Sequence, residues 1–484
     1  MSVDYKSYAR CFINGEYAED TERGFPLKNP ANGKVVVEKV QEAGPKEVDA
    51  AVDAAIKASH AWAESPPSVR AECLRKLADL MVENASTLAE LDAVSMGKPV
   101  LAHNRECGLA AKHLKHAADL AETYLGGTAS TNTPGFFNFS LKVPYGVVAG
   151  ICPWNVPVIM LTAKAGPAIA AGNCMIIKTS EKSPLSGSFI AGLTVKAGFP
   201  PGVLQVLSGA GLTGKLLSEH MKIRKISFTG STRTGRAVQE SAAKSNLKDV
   251  VLELGGKSPA IVLADADIAQ AVKALSFSLW ANSGQICMAS TRVYVHESIF
   301  QQFLEQYKAA LSQVKKGDPT DKTTMMGPLA DEVQYKSVQS FLNAANGSAT
   351  VSLGGASAEQ KEGYYVNPTI FTDVADDAKI NTDEIFGPVA VLHSFTDDEE
   401  VIRRANDSEY GLFASVFTRD INKALNYAKY LEAGNVAVNC SSPLGASDME
   451  FGGVKQSGIG REGGPRSLEN WLETKSVYVA LSGL

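Results

Sequence analysis

Val147-Val-Ala-Gly-Ile-Cys152, Cys174-Met-Ile-Ile-Lys178, Val203-Leu-Gln-Val-Leu207, Lys225-Ile-Ser-Phe-Thr229 and Val250-Val-Leu-Glu-Leu254 are five short apolar runs in the middle of the chain. Each is too short for a globular helix and rich in Val, Ile and Leu. Between them lie helix-length segments, Pro157–Ala171, Pro184–Gly198, Leu212–Met221 and Ser231–Ala243. Continuous apolar strands alternating with helices imply a parallel sheet covered on both faces. The fold class is therefore α/β, with a Rossmann-like parallel sheet whose ligands are expected at the carboxyl ends of its strands.

Toward the N-terminus, Phe12-Ile13-Asn14-Gly15 and Val35–Val40 read as short strands. Gly44-Pro45 opens a helix with proline at its first position, and Val48, Ala51, Val52, Ala55 and Ile56 give it one apolar face. Helical patterns continue over Arg70–Asp92 and Arg105–Tyr124. Gly126–Phe137 reads as a loop and Phe136–Val143 as an extended strand. After about residue 256 a second alternating set begins. Its strands are expected at Arg292–His296, Thr369–Thr372, Val389–Phe395, Leu412–Phe417 and Val436–Asn439. Helices fit Ser298–Val314, Asp331–Ala345, Asp397–Asp407 and Asn422–Gly434. The tail Lys475–Leu481 suits an edge strand for pairing between subunits.

At 484 residues, two or more domains are expected. A net charge of −5 supplies no basic patch for nucleic acid or an anionic membrane. The richest apolar run, Val147–Met160, is broken by Pro153, Asn155 and Pro157, so no membrane span is expected. The early residues carry charge and no apolar core, which argues against a secretory signal, and the C-terminal Ser-Gly-Leu is not a peroxisomal address. Seven cysteines are scattered with no C-x-x-C pair, against both a disulfide frame and a zinc site. No metal is expected, and a reducing compartment, the cytosol, fits best.

Two kinds of motif carry chemistry. The stretch Asn282-Ser-Gly-Gln-Ile-Cys-Met288 follows a helix-like segment ending at Trp280. It sets Cys287 among Ser283, Gly284 and Gln285, residues small or polar enough to leave backbone N–H groups free for an oxyanion. Gly209-Ala-Gly211-Leu-Thr-Gly214 has the spacing of a dinucleotide fingerprint, but the next strand ends in Ser227-Phe-Thr229 with no acid for a ribose. A tight strand-to-helix turn is the simpler reading there. Lys178-Thr-Ser-Glu181 offers a lysine and a carboxylate to ribose hydroxyls, and Glu181 disfavours a 2′-phosphate. Phe228-Thr-Gly-Ser231 starts a helix whose free N–H groups suit a pyrophosphate.

These residues resemble the NAD(P)-dependent aldehyde dehydrogenase superfamily, from about Phe12 to Lys475. The resemblance rests on Pro153-Trp-Asn155, Lys178-Thr-Ser-Glu181, Phe228-Thr-Gly-Ser231, Glu253-Leu-Gly-Gly-Lys257, Gly284-Gln-Ile-Cys287, Glu384-Ile-Phe-Gly-Pro388 and Phe451-Gly-Gly-Val-Lys-Gln-Ser-Gly458. It implies the family's fold, with a cofactor domain over 1–125 and 145–255 and a catalytic α/β domain over 256–455. Residues 126–144 and 456–484 then form a small β bridging or oligomerisation element, pointing to a homodimer or homotetramer.

The resemblance also implies roles. Cys287 attacks the aldehyde; Asn155 and the Cys287 backbone N–H hold the oxyanion; Glu253 activates the water that releases the acid; Lys164 joins this catalytic set and Lys257 supports it. The cofactor is NAD, with NADP possible. Lys178 and Glu181 hold the adenosine ribose, Ser231 the pyrophosphate and Glu384 the nicotinamide ribose, with Phe386 beside the nicotinamide. Ile151, Pro153, Trp154, Ser180, Gly211, Phe228, Thr229, Gly230, Leu254 and Gly255 complete that site.

Thr179 and Glu450 stand where the family pattern usually has proline. Val156 and Ala163 stand where members resembling the acetaldehyde-oxidising type carry bulky aromatics. With Ile286, Met288 and Phe451 they imply a wide apolar pocket, as in members resembling salicylaldehyde or vanillin dehydrogenases. The substrate is thus expected to be an aromatic or bulky hydrophobic aldehyde; a semialdehyde or aliphatic aldehyde, CoA-acylating chemistry and a retired, purely structural member are the alternatives. Glu253, which acylating members typically lack, argues for hydrolysis to the free acid.

Overall fold

The computed structural model describes residues 3–124, 126–345, 347–356, 362–443, 445 and 448–481. The domain boundary drawn at residue 125 and the C-terminal tripeptide lie outside the described residues. Two large sheets and a small one organise the chain.

The first sheet is eight-stranded, and its five predicted strands form a parallel core. From one side they run Leu204–Ser208, Cys174–Thr179, Val147–Ile151, Lys225–Thr229 and Asp249–Glu253. The chain winds outward in both directions from Val147–Ile151, so the strand order reverses between Val147–Ile151 and Lys225–Thr229. Such a switch point opens a crevice beyond the strand ends. Pro153-Trp-Asn155 leaves one side of it and Thr229-Gly-Ser231 the other. The antiparallel pair Phe12–Ile13 and Glu16–Tyr17 extends one edge, and Gly458–Ile459 pairs with the opposite edge.

The second sheet has seven strands, in the order Thr350–Leu353, Thr369–Thr372, Val389–Phe395, Ser290–His296, Ser258–Val262, Phe413–Phe417 and Asn435–Val438. All neighbours are parallel except the first pair. Ser258–Val262 is fully buried in the middle of this sheet, yet its pattern gave no strand signal. The reason is Pro259, which cannot donate to a ladder; the register shift between Ser258 and Pro259 is where the sheet absorbs it. Thr350–Leu353 was also missed, being short and half exposed. The expected helix over Arg70–Asp92 is two helices, Pro67–Glu83 and Ala85–Met96. Asn84 separates them, its side-chain amide donating to the Leu80 carbonyl at 2.8 Å and competing with the helix ladder.

The two sheets are joined head to tail. After Asp249–Glu253 of the first sheet, four residues intervene before Ser258–Val262 begins the second. Leu254-Gly-Gly-Lys257 is therefore the seam, with carboxyl strand ends on one side and amino ends on the other. Leu472–Ala480 pairs antiparallel along its length with Phe136–Pro144, and Ala129–Ser130 adds a third, short strand inside the segment expected to be loop. No described helix is long and apolar enough to cross a membrane.

Candidate active site

Cys287 is placed by a tight turn that its sequence only hints at. After the helix Ile268–Trp280, Asn282, Ser283 and Gly284 follow in the left-handed region, with φ of 49°, 58° and 71°. Non-glycine residues held there cost about 1–2 kcal/mol each, so the surroundings must impose the turn. They do. Asn282 donates through its amide to the Asn155 carbonyl at 2.9 Å, and Gln285 to the Asn282 carbonyl at 2.9 Å. Gln285 also accepts from the Ala330 N–H at 3.0 Å, and Ser283 donates to the Gly327 carbonyl at 2.8 Å. Ser283 and Gln285 are buried scaffolding, although their size and polarity pointed away from core positions. Gly284 likewise serves the fold: a Cβ there would collide with the Gly387 carbonyl.

The Asn155 amide donates to the Gln285 carbonyl at 2.9 Å, so it lies against the loop that carries Cys287. Burial pushes the Cys287 thiol up to about 12, with Glu384 and Glu253 adding to the shift and the backbone N–H groups of Met288 and Cys287 opposing it. A thiol so placed needs a base or a new positive charge before it becomes a nucleophile.

Glu253, at the last position of its strand, is 4% exposed, and neither carboxylate oxygen has a hydrogen-bond partner. Its pKa is held well above the ordinary glutamate value, chiefly by burial, then by Glu462, with Lys164 and Arg461 pulling the other way. A Cβ on Gly452 would come within 2.8 Å of Glu253 Oε1, so the glycine leaves room for that carboxylate. Lys164 is fully buried and donates to Ser227 Oγ at 2.7 Å and to both Glu462 oxygens at 2.9 Å. Glu462 was missed by sequence reasoning. Its signal was Lys164 itself, the one charged residue in the helix Pro157–Ala170, because a buried ammonium requires an acid. The pairing of Phe451 with Glu462 across two short strands brings that acid in.

The crevice at the switch point is a cleft of about 770 Å³. It gathers Pro153, Trp154, Asn155, Thr229, Gly230, Ser231, Leu254, Gly255, Cys287, Glu384 and Phe386 from both sheets, together with Gln334 and Ser337, which the sequence did not flag. Trp154 and Phe386 meet edge to face at 5.3 Å, and Gln334 donates to the Phe386 carbonyl at 2.8 Å. Glu384 accepts the Gly256 N–H at 3.0 Å, and burial raises its pKa to about 7. Ser231 caps the helix Thr232–Lys244, leaving its first N–H groups toward the cleft. Thr229 Oγ1 is buried without a partner. A dinucleotide fits this set: a helix end for phosphate, a carboxylate for a hydroxyl, an aromatic edge and an orphaned hydroxyl.

Ile151, Lys178, Ser180, Glu181 and Gly211 stand outside the cleft wall, around the neighbouring strand end. Lys178 donates to the Thr179 carbonyl at 2.9 Å, and Ser180 to Glu181 at 3.2 Å. A Cβ on Gly214 would sit 3.7 Å from Ile151 and 3.8 Å from Lys178, and Gly211 begins its helix with open space around it. Phe228 is buried beneath Gly230.

Residues 17–477 match the model of the aldehyde dehydrogenase family. The chain belongs to that family. It is 44% identical over 477 residues to an aldehyde dehydrogenase of Agaricus bisporus, covering 97% of this chain and 95% of the other. It is 41% identical to retinal dehydrogenase 2 of Mus musculus, covering 98% and 92%. PnpE of Pseudomonas sp. WBC-3, solved in complex with nicotinamide adenine dinucleotide, superposes with a TM-score of 0.95 at 35% identity, covering 98% of each chain. The protein is thus an oxidoreductase that oxidises aldehydes.

In this aldehyde dehydrogenase a second, apolar cavity of about 840 Å³ lies on the other side of the Cys287 loop. Ala163, Met288 and Phe451 line it, as do Leu109, Ile159, Met160 and Met449. Val156 and Ile286 do not: both are buried behind the wall, Val156 just before the helix Pro157–Ala170. The missed Leu109, His113, His116 and Ala117 occupy one face of the helix Val100–Thr123, a stripe that sequence alone cannot distinguish from core.

The cleft gives one direct test. A Cβ at Gly255 would strike the Glu384 carboxylate. Gly255→Ala is expected to weaken NAD binding about tenfold by displacing that acid, read by titration of intrinsic fluorescence, with alkylation of Cys287 by iodoacetamide retained.

Proposed function

We propose that the enzyme oxidises an aromatic or other bulky hydrophobic aldehyde to its carboxylic acid with NAD, through a thioester on Cys287. The observation that carries this is the position of the nucleophile loop between two unlike cavities. Cys287 lines the polar cleft, while Met288, the next residue, lines the apolar one. Aldehyde enters from the apolar side and cofactor from the polar side.

The Cys287 thiolate adds to the aldehyde carbonyl, forming a C–S bond, and the oxygen becomes an alkoxide met by the Asn155 amide and the Cys287 N–H. NAD, held in the cleft by these residues, would supply the hydride acceptor, and loss of hydride from the adduct carbon would leave a thioester on Cys287. Glu253 then takes a proton from water, the resulting hydroxide adds to the thioester carbon, and the C–S bond breaks to return the thiolate. Lys164, through Glu462, sets the charge around Glu253. Glu384 holds a ribose hydroxyl in the cleft; Ser231 faces the pyrophosphate; Lys178 and Glu181 take the adenosine ribose, whose acid favours NAD over NADP.

In this reading residues 1–125 and 145–255 form the cofactor unit and 256–455 the catalytic unit. Residues 126–144 and 456–484 form the assembly element. The edge strand Leu472–Ala480, with Tyr478 and Val479 exposed, supports a homo-oligomer. The seven cysteines, all unpaired, fit the reducing cytosol.

The substrate reading rests on the volume and apolar wall of the second cavity; the retinal dehydrogenase relative, whose name gives a large apolar aldehyde, points the same way. NADH formation from benzaldehyde-type aldehydes is expected with kcat/KM at least about tenfold above that for acetaldehyde or a carboxylated semialdehyde. The reverse ranking would overturn the substrate class and leave the reaction type standing.

A further inference from the structure

We propose that Lys182 and Asp331 form a latch that ties the two sides of the cofactor cleft together and sets how fast the dinucleotide leaves. This rests on the reading of that cleft as the NAD site.

Lys182 lies in the turn after the first-sheet strand Cys174–Thr179, one residue beyond Glu181. Asp331 immediately precedes the helix Glu332–Ala345 on the side of the second sheet. The two side chains meet across the seam, with Lys182 Nζ 2.8 Å from Asp331 Oδ2 and 17% and 31% of the side chains exposed. The same ammonium lies 4.9 Å from the centre of the Trp154 ring, which meets Phe386 edge to face. Gln334 donates through its side-chain amide to the Ile385 and Phe386 carbonyls, at 3.1 and 2.8 Å. Its backbone N–H donates to Asp331 Oδ1 at 2.8 Å. Lys182, Trp154, Phe386, Gln334 and Asp331 thus close a ring of contacts, and the middle three line the cleft.

Two contacts of that ring cross from one side of the cleft to the other. Trp154 against Phe386 is an aromatic edge, along which a ring can pivot. The ion pair is directional and half-buried, and its cation also lies over the indole face. Asp331 is the fixed partner. One of its oxygens caps a helix, and the N–H of the preceding Ala330 is held by Gln285 at 3.0 Å. Phe386 is fixed too, since Gln334 pins the carbonyls around its φ of 54°. Lys182 is therefore the member that lets go when Trp154 and the first-sheet side of the cleft move.

Release is read without turnover, by mixing the enzyme–NADH complex with excess NAD and following NADH fluorescence. Lys182→Met keeps the stem against Trp154 and removes the charge. Asp331→Asn keeps an oxygen to cap the helix and likewise removes the charge. Each is expected to speed release about fivefold, with association within about twofold of wild type. The double variant should release no faster than either single one, because both break the same contact. Lys182→Arg, which keeps the pair and the stacked cation, should stay within about twofold of wild type. A lysine that attracted the cofactor phosphates directly would give the opposite sign: Asp331→Asn would free it and slow release. Unchanged or slower release in Asp331→Asn, or effects that add in the double variant, would overturn the latch alone. NADH binding untouched by Gly255→Ala would remove the cofactor from this cleft, and the latch with it.

Discussion

Cys287→Ala is expected to lower NAD-linked oxidation of every aldehyde by at least about a thousandfold, with NAD affinity within a few-fold of wild type. The size follows from the proposed chemistry. Without sulfur no covalent adduct forms, so the hydride donor never exists, and neither Asn155 nor Glu253 can substitute. Cofactor binding should survive because Thr229, Ser231, Gly255 and Glu384 come from elements that the cysteine does not support. The variant should also fold: its loop is held by Asn282, Ser283 and Gln285 rather than by the thiol. NADH formation measured against NAD binding checks both halves. Activity that persists in the alanine variant would remove Cys287 from the mechanism. In the wild type without cofactor, the raised thiol pKa makes a second reading available. Iodoacetamide alkylation should accelerate with pH through pH 9 without a plateau, because the thiol, pushed up to about 12, is still mostly protonated there.

Glu253→Gln is expected to separate the two halves of the reaction. Acylation should still release about one NADH per active site in a burst, while the steady rate falls about a hundredfold or more. Glutamine keeps the shape of the buried side chain but cannot take a proton from water, so the thioester accumulates. The pH profile gives the sign. Glu253 works as a base, and burial raises its pKa, so protonation disables it at a higher pH than for an ordinary glutamate. The wild-type steady rate should therefore rise with pH across an acid limb above pH 4.5, and the residual rate of Glu253→Gln should lack that limb. Rapid-mixing absorbance at the NADH band resolves burst and steady phases. Loss of the burst together with the steady rate would show instead that Glu253 is needed to generate the thiolate.

Much of the fold was legible because strand and helix periods differ. The five parallel strands, the proline-led helix from Pro45 and the strands Thr369–Thr372 and Val389–Phe395 all lie where their patterns place them. The failures have local causes. Pro259 left a central strand without a strand signal, and Asn84 split a continuous apolar stripe with one side-chain hydrogen bond. At the site, short motifs named Asn155, Ser231, Cys287 and Glu384, all found in the cleft, since a reactive thiol, a ribose-binding carboxylate and a helix-opening turn each need particular residue types. Positions defined only by shape were read less well. Ala163 lines the apolar cavity, but Val156, chosen by the same reasoning, lies behind its wall.

The sequence by itself determined the parallel sheet, the family and the identity of Cys287, Glu253, Asn155 and Glu384 as groups worth bringing together, because apolar periodicity and residue chemistry are local properties. Tertiary structure alone decided which groups share a volume. It drew Glu462 to Lys164 across 298 positions of the chain, since a buried ammonium must be neutralised wherever an acid can be supplied. It made Ser283 and Gln285 scaffolding, since buried polar atoms take the nearest partners. And it turned the helix face of Leu109, His113, His116 and Ala117 into a cavity wall, because whether a stripe becomes core or pocket depends on what packs opposite, which no single stretch of sequence contains.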